Sequence, residues 1–68
     1  MADNVYQKVQ LVGTSSKSLS DAISAAVAKA ATVLKNPTWF EIVEQRGAIV
    51  DGKVQQFQVT ISVGGKAE

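Results

Sequence analysis

The chain has no cysteine and no histidine. The first absence excludes disulfides and thiolate zinc sites. The second removes the commonest metal ligand and the usual general base. Proline occurs once, and the aromatics are few: one tryptophan, one tyrosine and two phenylalanines in 68 residues. Charge of either sign is in short supply, with seven Lys and Arg against six Asp and Glu, so a net +1 gives no basic footprint for nucleic acid or a membrane surface. No apolar run approaches the length of a membrane span, and the opening MADNVYQKVQ has no signal-peptide character. A cytoplasmic protein is expected. A domain this short buries only about 60% of the surface its unfolded chain exposes. Without disulfides or a metal, oligomerisation is the expected further source of stability.

What is present is a succession of β- and α-periodic segments. In VYQKVQLVG (5–13), Val5, Gln7, Val9 and Leu11 share one face while Tyr6, Lys8 and Gln10 take the other, the pattern of a half-buried strand. GTSSKS (13–18) reads as a turn-rich link, with Ser18 as helix N-cap and Asp21 as its capping-box-like partner. Leu19, Ala22, Ile23, Ala26, Val27, Ala30, Val33 and Leu34 recur in steps of three and four and define one helical stripe, which Asn36 and Pro37 terminate. A second strand is expected over 38–50, with Gly47 as a bulge. The Asp51-Gly52 pair is a hairpin signal. The third strand, 53–63, places Phe57, Val59, Ile61 and Val63 on one face and Gln56, Gln58, Thr60 and Ser62 on the other. Residues 1–68 therefore read as a single α+β domain of order β-α-β-β. A right-handed crossover plus a hairpin gives a three-stranded antiparallel sheet in the order 1-3-2 with the helix on one face.

Alternation separates the neighbours Trp39 and Phe40. Phe40 and Ile42 match the apolar face of the third strand, so Phe40 is expected in the core. Trp39, Glu41 and Val43 then share the opposite face with Gln58. A large aromatic among polar residues needs a partner. It is either an anchor in a subunit interface or a flat π surface for a planar ligand. A two-residue turn at Asp51 and Gly52 puts Gln58 opposite roughly Gln45, about 20 Å from Trp39 at 3.3 Å per residue. Strong sheet curvature would shorten that gap. Otherwise one ligand reaches both residues only across two subunits.

At these residues the chain resembles the dodecins, small flavin-binding proteins. The resemblance is carried by YQKVQLVGTS (6–15), the alanine-rich helix, WFEIVEQRG (39–47) and VDGKVQQFQVTISVG (50–64), in order and over nearly the whole length. It implies a sheet wrapped around its helix and a hollow homododecamer. It also implies flavins bound as stacked pairs between symmetry-related tryptophans. On that likeness Trp39 matches the stacking tryptophan, Gln58 the glutamine that hydrogen-bonds the isoalloxazine ring, and Arg46 a basic residue of members that bind flavin mononucleotide (FMN). Riboflavin and FAD are the other flavin forms, and coenzyme A is a further candidate ligand. The implied role is flavin storage or sequestration with photoprotective quenching, without catalysis. One departure stands out. The family commonly follows VG with an aromatic, a basic residue and a leucine, whereas here Gly65, Lys66, Ala67 and Glu68 follow. A thinner end to the core is expected at Gly65, and Lys66 keeps a charge without the bidentate geometry of Arg.

The same residues also admit plainer roles. Gln58 reads alone as a solvated strand position, and Arg46 as the partner of Glu44 in a surface ion pair. A structural homo-oligomeric interaction module with Trp39 as interface anchor is the alternative function. GTSSKS lacks the second glycine of a phosphate loop, and the spacing of Thr14 and Lys17 has no accompanying nucleophile motif. The six carboxylates, Asp3, Asp21, Glu41, Glu44, Asp51 and Glu68, show no metal-ligand spacing.

Overall fold

A computed structural model describes residues 4–67; Asp3 and Glu68 lie outside the described residues. The elements are β1 (Tyr6–Ser15), α1 (Leu19–Val33), β2 (Pro37–Val50) and β3 (Lys53–Lys66). Strand β3 runs antiparallel to both neighbours in a sheet of order β1-β3-β2, the α+β arrangement that the periodicities imply.

Short polar side chains set the helix entry. Ser18 is extended, and its Oγ accepts a hydrogen bond from the Asp21 N–H at 3.0 Å. This satisfies one of the free donors in the first turn. The reciprocal half of a capping box is not made by Asp21. Instead the Ser18 N–H points to Ser15 Oγ at 3.4 Å, and the same oxygen accepts from the Lys17 N–H at 2.9 Å. The expected link GTSSKS is therefore shorter than its composition suggests. Gly13, Thr14 and Ser15 belong to β1 and pair with Val59, Gln58 and Phe57.

The core is a line of small residues pressed onto β-branched ones. Ala22, Ala26 and Ala30, four apart along the helix, and Leu34 at its C-cap are buried against Val59, Ile61 and Val63 of β3, with Val9, Leu11, Leu19, Ile23 and Val27 packed around them. Val33, also assigned to the stripe, is exposed. The helix lies so close to β1 that a Cβ on Gly13 would overlap the Ala22 carbonyl oxygen and sit 3.0 Å from Ala26 Cβ.

Strand β2 departs from expectation in two respects. Gly47 is not a bulge and pairs regularly with Phe57. The ladder is irregular between Pro37 and Trp39, between Ile42 and Glu44, and between Ala48 and Ile49. Phe40 does occupy the helix-side face, opposite Val63, yet it is 45% exposed and is not a core residue. The cause is where the helix sits: α1 packs on β1 and β3 and barely touches β2. Phe40 borders instead a cavity of about 170 Å³ with Val27, Pro37, Thr38, Trp39 and Val63.

The turn at Asp51 and Gly52 has positive φ at both residues, 53° and 75°. That is the type I′ geometry whose twist suits a two-residue hairpin. At the other end, β3 continues through Gly64 and Gly65 to Lys66. The core is not thinner at Gly65. A Cβ there would lie 2.8 Å from the Asn36 carbonyl oxygen and 3.2 Å from Pro37 Cα, so the backbone entering β2 fills the space.

Candidate functional site

The sheet face away from α1 is read directly from the ladders, because directly opposed residues share a face. Across β1, β3 and β2 it presents the rows Lys8–Gly64–Trp39, Gln10–Ser62–Glu41, Val12–Thr60–Glu44 and Thr14–Gln58–Arg46. All three residues singled out from the sequence, Trp39, Arg46 and Gln58, therefore lie on one face.

Strict alternation would not have put Arg46 there. Counting from Phe40 and Ile42, an even-numbered residue belongs to the helix side. Val43 takes no partner in the ladder: Ile42 pairs with Ile61 and Glu44 with Thr60. From this bulge onward Glu44 and Arg46 take the positions that alternation assigned to Val43 and Gln45. A second irregularity, where the partners step from Gln56 to Val54, shifts the hairpin register by one. Gln58 consequently faces Arg46 rather than Gln45. Among the described residues the one ion pair is Lys8 with Glu41, so Arg46 and Glu44 are not paired.

Trp39 stands apart from the Gln58–Arg46 row. It pairs with Gly64, six residues from Gln58 along β3, or about 20 Å at the usual strand rise. Its six-membered ring lies over Gly64, where a Cβ would overlap it. Tyr6 meets the indole edge-on, with ring centroids 5.4 Å apart and planes at 66°. The indole remains 39% exposed. Next to it Lys8 Nζ and Glu41 Oε1 are 2.6 Å apart, a diagonal pair that crosses β3. Both side chains are exposed, so this pair contributes about 0–1 kcal/mol.

Sequence reasoning missed Tyr6, Gly64 and the Lys8–Glu41 pair as neighbours of Trp39. Alternation had placed Tyr6 and Lys8 on this face. What it lacked was the β1–β3 register, which sets Tyr6 opposite Lys66 and Lys8 opposite Gly64. Among the described residues no helix is long and apolar enough to cross a membrane, and no group of three or more Asp or Glu is placed to hold a metal ion.

The dodecin family model matches residues 5–68. A dodecin of Thermus thermophilus is 47% identical over 64 residues, covering 94% of this chain and 93% of that protein. The crystal structure of a Thermus thermophilus protein matches with a TM-score of 0.90 at 45% identity over 97% of each chain. A dodecin from Streptomyces davaonensis matches with a TM-score of 0.89 at 36% identity over 98% of each. Fold and sequence converge on one conclusion: the chain belongs to the dodecin family of small dodecameric flavin-binding proteins.

Proposed function

We propose that this dodecin stores and shields flavin without catalysing its turnover, and that Trp39, Gln58 and Arg46 form the binding site. The observation that carries this reading is the half-exposed indole of Trp39, which shares a face with the Gln58–Arg46 row. An open indole face fits an isoalloxazine ring by stacking. The Gln58 side chain carries both a donor and an acceptor for the polar edge of that ring. Arg46 supplies a fixed positive charge suited to a phosphate, which favours FMN over riboflavin. Coenzyme A, which also carries phosphates, remains a second candidate ligand.

The spacing of about 20 Å between Trp39 and Gln58 exceeds what one ring spans. Each flavin would therefore take its stack from one subunit and its hydrogen bonds from another, so assembly would complete the site. The flavin supplies the light-absorbing ring. With a flavin bound, the Trp39 indole stacked on that ring would quench its excited state by a reversible electron transfer that leaves both groups unchanged. Gln58 and Arg46 orient and retain the ligand. A reservoir of this kind belongs in the cytoplasm, where free flavin would otherwise generate photochemical damage.

The test is a titration of purified oligomer into FMN, read as flavin fluorescence, alongside a native mass measurement. Quenching that saturates at a fixed ratio of flavin to subunit is expected. Unchanged fluorescence at micromolar protein would end the proposal.

A further inference from the structure

Trp39 is flanked by two residues to which the flavin reading gives no role. Gly64 forms a floor beneath the six-membered ring, and any side chain there would displace the indole. Tyr6, from the far strand β1, packs against the indole with ring centroids 5.4 Å apart and planes at 66°. That is the edge-to-face geometry that aromatic pairs favour. The two contacts come from different strands, yet both bear on the side chain that the sheet leaves 39% exposed.

We infer that Tyr6 and Gly64 are positioning residues that hold the Trp39 indole in one orientation before ligand arrives, with its free face turned outward for stacking. The inference rests on the flavin reading above and deepens it. A side chain that must be immobilised on binding costs rotamer entropy, and holding it beforehand removes that cost from the binding step. Tyr6 is suited to this because its ring is rigid and reaches Trp39 over Gly64, across a strand that presents no side chain in between. The phenolic hydroxyl plays no part, so phenylalanine should serve as well.

Trp39 is the only tryptophan in the chain, so its emission reports on this site alone. Time-resolved anisotropy of the ligand-free oligomer should show a slow indole in the wild type and in Tyr6→Phe. Tyr6→Leu and Gly64→Ala should both add a fast local component. FMN affinity should fall roughly two- to twelvefold in Tyr6→Leu, the worth of one aromatic pair, and return in Tyr6→Phe. Native mass should stay at the wild-type value in all three variants. If Tyr6→Leu matched the wild type in both anisotropy and affinity, the inference would be overturned. Loss of affinity in Tyr6→Phe equal to that in Tyr6→Leu would overturn it too, by assigning the effect to the hydroxyl. Should the wild type itself fail to quench FMN, the storage reading falls, and the anisotropy still decides whether Trp39 is held.

Discussion

Arg46 stands directly opposite Gln58 in the β2–β3 ladder, and the bulge at Val43 is what carries it to that face. On the proposed reading, an amide and a guanidinium at opposed positions would divide the recognition of FMN between them. Arg46→Ala is expected to weaken FMN about five- to tenfold and leave riboflavin unchanged, because only FMN carries a phosphate. Gln58→Ala should weaken both ligands alike. Parallel fluorescence titrations with the two flavins check this, and raising the salt concentration should narrow the wild-type preference for FMN.

Trp39→Ala separates storage from a purely structural role. Its ring is only partly buried, and the residues packed against it within the subunit include Tyr6 and Gly64. The variant should keep the oligomeric mass and lose most of the quenching. Disassembly on size exclusion would instead identify Trp39 as an interface anchor.

Gly65 gives a prediction against family habit. Replacing it with the aromatic common at this position in the family, Gly65→Phe, should not improve the core. The Asn36 carbonyl already lies 2.8 Å from where the Cβ would be. Overpacking of this kind destabilises by about 1–3 kcal/mol, measurable as a lower midpoint in denaturant at fixed protein concentration.

Ser18→Ala removes the hydrogen bond to the Asp21 N–H and should cost about 1 kcal/mol. Because Asp21 makes no reciprocal contact, Asp21→Asn should change stability far less. The same denaturation experiment compares the two.

The strands, the helix and the hairpin turn are legible because each rests on a local period or a local turn chemistry, and the sheet order because a right-handed crossover and a hairpin leave few arrangements. Alternation in 53–63, the alanine stripe and Asp51-Gly52 each specify their element from residues within it. The bulge at Val43 was not legible, since nothing in EIVEQ distinguishes an extra residue from a regular one. Family likeness selects Arg46, although strict alternation points it the other way. The Tyr6–Trp39 contact depends on two registers at once, β1 on β3 and β2 on β3. Phe40 departs from the core position that alternation assigns it for a different reason. Periodicity tells which side of a sheet a residue takes, and it does not tell how far along the sheet a helix extends its cover.

That uncovered flank of β2 has a thermodynamic consequence. Phe40, Ile42, Val43, Ile49 and Val50 all remain at least 45% exposed in the lone subunit, on a strand whose outer edge has no partner within the subunit. Such an edge is a template for other chains, and a 68-residue chain has little stability in reserve to leave it bare. Subunit folding and association are then linked by mass action, and the unfolding midpoint should climb as total protein is raised. At sufficient dilution the protein should pass from oligomer to unfolded chain with no folded monomer accumulating between.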